Sequence, residues 1–138
     1  MNLDLGPGCR GVAFTARLKE PTAFRSLDTI IFDDVLTNIG SGYNPETGIF
    51  KVPFSGRYLF SLTICAQNQK QVWAEILADG VVIGQLAAGD QEIDRASASV
   101  SVVAYLDVGN EVHVRETKMW TGYFHGEGFT AFTGLLLQ

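Results

Sequence analysis

The 138-residue chain carries 15 acidic and 10 basic side chains, a net charge of −5, and is 46% hydrophobic, so one domain can bury a true core where two would each be poorly covered. The acidic balance, with no Lys/Arg cluster, opposes a phosphate backbone and excludes nucleic acid as an expected partner. No apolar run approaches the roughly 20 residues that span a bilayer, which argues against membrane insertion, and MNLDLGPGCRG lacks the basic start and apolar centre of a secretory signal.

Residues 1–11 are expected to form a flexible leader or residual linker, and 12–138 one globular head. Between Asn38 and Phe60, NIGSGYNPETGIFKVPFSGRYLF sets turn residues among aromatic and branched ones. Asn44-Pro45-Glu46-Thr47-Gly48 predicts a turn, because proline presets φ at about −65° and glycine takes the left-handed value other residues resist. Pro53 has no backbone N–H and belongs at a sheet edge, a bulge or a strand end; Gly56 then opens the next strand. In that strand Tyr58, Phe60, Leu62 and Ile64 share one face and Arg57, Ser61 and Thr63 the other, with Leu59 breaking the alternation. Cys65 ends it. A bond to Cys9 is permitted, and one exposed tail thiol with one buried core thiol is an equal reading.

Farther on, WAEILADGVVIGQL predicts a hairpin, since Asp79-Gly80 is a positive-φ pair suited to a two-residue turn. Trp73, inside the first of its strands, reads as a core ring. GDQEIDRAS at 89–97 is an acidic loop. Val100, Val102, Ala104 and Leu106 alternate with serines, and DVGN then predicts a second hairpin into Glu111 to Thr117, where Val112 and Val114 share a face. The closing FTAFTGLLLQ is apolar on both faces, as a strand central in its sheet would be. No segment of ten or more residues holds a 3.6-residue apolar stripe, so the fold class is all-β, a sandwich or barrel.

Chemistry is sparse. The only histidines are His113 and His125, the cysteines lack zinc-ligand spacing, and there is no Gly-x-Ser-x-Gly, Walker or His-Glu-x-x-His arrangement, so the chain is expected to be no enzyme and to work as a binding module. Asp90, Glu92 and Asp94 offer the hard oxygen donors calcium requires, without the glycine and closing glutamate of an EF-hand; a solvated acidic turn is the other reading. In RETKMWTGYFHGEGF, Trp120, Tyr123 and His125 combine flat apolar faces with polar edges, while Arg115 and Lys118 would attract an acidic group; packing of Trp120 on its own hairpin is the alternative. The aromatic set Tyr43, Phe50, Phe54, Tyr58, Phe60, Phe129 and Phe132 either fills the interior or leaves some rings for a neighbouring subunit.

AFTARL at 13–18, IIFDDVLTNIGSGYNPETGIFKVPFSGRYLFSLTI at 30–64, LDVGNEVHV at 106–114 and FTAFTGLLL at 129–137 resemble, in order, the signature segments of the complement C1q globular-head family. The most specific part is the series Phe32, Asp33, Asn38, Gly42, Tyr43, Asn44, Gly48, Phe50, Pro53, Gly56, Tyr58 and Phe60. The resemblance implies a two-sheet jelly roll of the tumour-necrosis-factor-like kind, assembled as a compact homotrimer and secreted to the extracellular space. It departs from many members in having only GPGCRG, too little for a collagen triple helix, ahead of the first strand. It also implies that Asp94, before Ala96-Ser97, takes part in calcium binding near the trimer apex, with Asp90 as a more closely spaced upstream partner. The expected function is lectin-like recognition of glycans or microbial surface polymers in innate immunity, where three weak sites in one head gain avidity on a repetitive surface. The alternatives are a ligand for a protein receptor, signalling or synapse-organising, and an extracellular-matrix network module.

Overall fold

The structure, a computed structural model, describes residues 11–117 and 122–137. Among the described residues every regular element is a strand: β1 (Ala13–Arg17), β2 (Thr22–Phe24), β3 (Asp34–Ile39), β4 (Tyr43–Asn44), β5 (Ile49–Lys51), β6 (Gly56–Cys65), β7 (Val72–Ala78), β8 (Val81–Ala88), β9 (Ser97–Leu106), β10 (Glu111–Glu116), β11 (Gly122–Phe124) and β12 (Ala131–Leu136). They form two five-stranded antiparallel sheets, ordered β3-β1-β12-β6-β9 and β4-β5-β10-β7-β8, with β2 and β11 paired separately. The period-two pattern led to an all-β sandwich or barrel, and the family resemblance to the two-sheet jelly roll; both expectations hold.

The alternation in β6 sets the inner layer. Tyr58, Phe60, Leu62 and Ile64 are each fully buried, while Arg57, Leu59, Ser61 and Thr63 face outward. Against them the opposite sheet presents Phe50, Val72, Ala74, Ile76, Val112 and Val114, all buried. The rings interlock rather than merely touch: Phe14 stacks on Tyr43 with centroids 5.0 Å apart and meets Phe132 edge-on at 5.2 Å, and Phe60 stacks on Phe132 at 5.8 Å. The large rings the sequence offered to a neighbouring subunit are therefore mostly spent inside the subunit. Tyr43, Phe50, Tyr58, Phe60 and Phe132 are core, and of that set Phe129 is exposed.

The turn predictions divide. Asp79 and Gly80 both take positive φ, 45° and 81°, and join β7 to β8 as a hairpin. At 44–48, Asn44 Oδ1 accepts the Glu46 N–H at 2.9 Å and the Gly48 N–H reaches the Asn44 carbonyl at 2.8 Å, so this turn forms as its residues dictate. Pro53 follows the end of β5, and β12 is the middle strand of its sheet. The DVGN hairpin is overturned. Its turn is tight, with the Asn110 N–H on the Asp107 carbonyl at 3.0 Å, yet β9 pairs with β6 in one sheet and β10 with β5 and β7 in the other. The turn is tied to the β5–β6 link, the Val108 N–H to Ser55 Oγ at 2.8 Å and the Gly109 N–H to the Val52 carbonyl at 2.8 Å. It lifts the chain from one sheet to the other, so that Leu106 and Val112 cover the core from opposite sides.

Candidate functional site

Strand alternation exposes two sheet faces, and each carries a distinct chemistry. On the outer face of the sheet containing β6, hydroxyls pair across strands: Thr15 with Thr133 at 2.9 Å, Thr63 with Ser99 at 2.7 Å and Ser101 with Ser61 at 3.4 Å. Toward one end the same face turns apolar. Leu59 lies in register with both Val103 and Leu135, next to the Arg57–Tyr105 pair, and Val103 and Tyr105 are 61% and 66% exposed. The residue that broke the alternation of β6 thus belongs to an outward apolar patch.

The outer face of the other sheet is built around β7. Arg115, Glu75 and Gln85 stand in register on β10, β7 and β8, and the Arg115 Nε–H donates to Glu75 Oε1. One step along β7, Trp73 pairs with Ala87, and the Thr117 N–H donates to the Trp73 carbonyl at 3.2 Å. Trp73 is 45% exposed. The expected core ring therefore faces outward: in VWAEILA nearly every position is apolar, so the pattern does not fix the phase, and Val72, Ala74 and Ile76 took the inward face. A shallow depression of about 210 Å³ lies beside the indole, lined by Trp73, Ala74, Gln85, Leu86, Ala87 and Thr117. His113, two residues before Arg115 on β10, has its pKa lowered by burial first and by the Arg115 charge second, with Glu111 and Glu75 pulling the other way.

The remaining sequence-derived residues gather around β11 and the loop end. Tyr123 lies in β11, partly exposed, and its carbonyl accepts the Gln67 N–H at 3.3 Å. His125 is enclosed. It is 3% exposed, its N–H bonds the Cys65 carbonyl at 2.7 Å, its Nδ1 stands 3.1 Å from Gln67 Oε1, and its ring packs on Phe129 with centroids 4.9 Å apart. Thr130 Oγ1 closes the group, donating to the His125 carbonyl at 2.8 Å and accepting the Cys65 N–H at 3.1 Å. His125 pins a loop instead of presenting a ring to a ligand, and Cys65 is a buried free thiol. Arg115 sits near the end of β10, where it pairs with Glu75; Lys118 and Trp120 lie outside the described residues.

The acidic loop is occupied by its own backbone. Asp90 Oδ1 accepts the N–H groups of Glu92 and Ile93 at 2.7 and 2.9 Å, and Asp94 Oδ1 accepts the Asn68 N–H at 2.9 Å, tying the β8–β9 loop to the β6–β7 loop. Among the described residues no group of three His, Cys, Asp or Glu side chains converges. Two carboxylates fall short of the roughly six to eight oxygens calcium takes, so carbonyls or waters would have to complete its shell.

A family model for the C1q domain matches residues 13–137. The chain belongs to the C1q domain family. Among solved structures, this C1q domain is similar to the globular domain of zebrafish complement 1qA, with a TM-score of 0.72, 18% identity, and 92% of this chain and 98% of that chain covered. It is similar to Eiger TNF from S. frugiperda at TM-score 0.75 and 15% identity, covering 94% of each chain, and to murine APRIL at pH 5.0 at 0.74 and 12%, covering 92% of this chain and 99% of that one. At these identities the likeness concerns the fold. C1q and TNF-like domains are in general non-enzymatic recognition modules that form trimers, typically outside the cell. No helix among the described residues is long and apolar enough to cross a membrane.

Trp73, Glu75 and Gln85 were missed by sequence reasoning. The Asp79-Gly80 turn alone would set Glu75 opposite Gly84; a register shift between Ile76 and Leu77 brings Gln85 there instead, and Glu75 is itself buried, so the sequence pattern did not mark this face.

Proposed function

We propose that this C1q domain is a secreted, non-enzymatic homotrimeric recognition module that reads glycans or microbial surface polymers. The observation that carries it is the outward apolar patch of Leu59, Val103, Tyr105 and Leu135 on the sheet containing β6. Such a patch costs solvation unless a second copy covers it, and association of three copies sets identical sites at fixed spacing. Ligand capture is assigned to Arg115, Lys118, Trp120 and Tyr123, which lie close together in the sequence at the end of β10 and the start of β11, while the enclosed His125 is bonded to Cys65 and Gln67. Calcium at Asp90 and Asp94 belongs to the same proposal.

The test is a glycan array with and without calcium, run on protein whose solution mass has been measured by sedimentation. A trimer with glycan signal, weakened by Trp120→Ala at unchanged mass and melting temperature, is the expected result. A stable lone subunit at working concentration removes the avidity argument. A second reading, a trimeric ligand for a protein receptor, is favoured by the likeness to Eiger TNF and APRIL. It would be marked by an empty array and retained tight binding to one protein partner. A matrix-network module would instead show assemblies beyond the trimer that collapse on reduction of Cys9.

A further inference from the structure

We infer that Leu3-Asp4-Leu5 of the chain's own leader docks in an apolar groove at the end of the sandwich where β1 begins, as an intrachain strap independent of the glycan reading above. The groove, about 280 Å³, is lined by Gly40, Val52, Pro53, Val108 and Gly109, and by one charged residue among those described, Lys51. That volume suits one or two aliphatic side chains and falls below the roughly 300–1,000 Å³ of pockets for drug-sized ligands. Its walls are fixed before anything binds. The Gly109 N–H is held by the Val52 carbonyl at 2.8 Å and the Val108 N–H by Ser55 Oγ at 2.8 Å, while Gly40, at φ 85°, turns the chain out of β3. Val52 is buried, but Val108 is 63% exposed, and a methyl placed on Gly109 would meet nothing within 4 Å. An aliphatic side chain held rigidly beside open space gains by being covered.

Three observations choose the leader as the cover. The first is where the described chain starts. A methyl placed on Gly40 would stand 3.3 Å from the Gly11 carbonyl oxygen, so the segment ahead of β1 meets the head at a residue that lines the groove. The second is the reach of that segment, MNLDLGPGCR. Gly6-Pro7-Gly8-Cys9 has the signature of a type II turn, proline at the second position and glycine at the third, and such a reversal returns Leu5 to the side of Arg10 and Gly11. Even fully extended, the six residues from Leu5 to Gly11 span at most roughly 20 Å.

The third is composition. In an extended Leu3-Asp4-Leu5 the two leucines share one side, for the groove, and the carboxylate takes the other. Lys51 is exposed, and its long stem can lie along the apolar wall while its ammonium reaches Asp4. Glu111, opposite Lys51 on β10, is the acid already beside that ammonium. Tethering places the leucines at an effective concentration on the order of millimolar, which a second copy or a foreign peptide does not reach in dilute solution. The same tether makes the strap displaceable, and cleavage after Arg10 would uncover the groove.

The experiment uses the full chain, with solution mass and melting temperature checked for every variant. Trypsin cleavage after Arg10 is expected to be at least fivefold faster in Leu3→Ser/Leu5→Ser and in Val108→Ser than in the wild type. Lys51→Glu should speed it several-fold, and adding Asp4→Lys to that chain should restore the wild-type rate. A nitroxide attached at position 2 of Asn2→Cys/Cys9→Ser should broaden the amide signals of Val108 and Gly109 by more than half, and Leu3→Ser/Leu5→Ser should relieve the broadening. Equal cleavage rates in the wild type and the leucine variant, or unbroadened Val108 and Gly109 signals, overturn the strap. Failure of Asp4→Lys to rescue Lys51→Glu overturns the Lys51–Asp4 pairing. In protein co-refolded from nitroxide-bearing chains and isotope-labelled chains without nitroxide, broadening would place a second copy's leader in the groove and overturn the intrachain assignment.

Discussion

Replacing Gly48 tests the turn between β4 and β5 as a device that couples local backbone geometry to long-range packing. Gly48 has φ 76°, and a methyl group added there would stand 2.9 Å from the Ile30 carbonyl oxygen, 3.2 Å from Ile31 Cα and 3.2 Å from Thr29 Cγ2. Gly80 has nearly the same backbone, φ 81°, with nothing within 4 Å of such a methyl. The left-handed conformation costs an L residue about 1–2 kcal/mol, and forced overpacking about 1–3 kcal/mol more. Gly80→Ala bears only the first cost, whereas Gly48→Ala bears both, about 2–5 kcal/mol against a typical domain stability of about 5–15 kcal/mol. At about 3 °C per kcal/mol for a domain of this size, the melting temperature falls by roughly 3–6 °C for Gly80→Ala and by roughly 6–15 °C for Gly48→Ala. Gly48→Val falls further, because a branched side chain tolerates positive φ least. Circular-dichroism melts at one matched protein concentration make the comparison, since assembly contributes to apparent stability. Equal shifts for the two alanine variants would refute the claim that residues 29–31 press on the turn.

The Tyr43 hydroxyl donates to the Phe32 carbonyl at 2.9 Å and accepts the Phe32 N–H at 3.0 Å, and burial pushes its pKa well above the ordinary phenol value. Tyr43→Phe leaves that buried amide without its acceptor, at an expected cost of about 1–3 kcal/mol, read as a lower urea midpoint at unchanged slope. The lowered pKa of His113 means that the unfolded chain takes up its proton first as pH drops. Its contribution to stability is complete above the unfolded value of about 6.5 and is lost as pH falls through the lower folded value. His113→Gln should therefore make the decline in melting temperature between about pH 7 and pH 5 shallower than in the wild type, and parallel declines would count against it. For calcium, Asp94→Asn keeps an acceptor for the Asn68 N–H while removing the charge, so it should abolish a calcium-induced rise in melting temperature without lowering the metal-free value. Superimposable wild-type melts in calcium and in chelator would discard the metal.

What the sequence determined by itself is what neighbouring residues decide among themselves. The period of two in GRYLFSLTIC, the Asx-type turn at Asn44 and the positive-φ pair Asp79-Gly80 follow from side-chain alternation and local backbone sterics, and each is found in place. The order of the family segments carried the fold in the same way. Sidedness and partnership belonged to the tertiary structure. DVGN encodes a tight reversal, but whether its flanking strands pair depends on which sheet edges await them, and β6 took one while β5 and β7 took the other. The run VWAEILA is apolar enough to face either way, so only the assembled sandwich turned Trp73 toward solvent. His125, between loop glycines, has the look of a solvated residue; contacts with Cys65 and Gln67, some 60 positions earlier in the chain, enclose it. Local sterics fix dihedral angles within a few residues, whereas burial and pairing are settled by segments that meet only when the chain closes on itself.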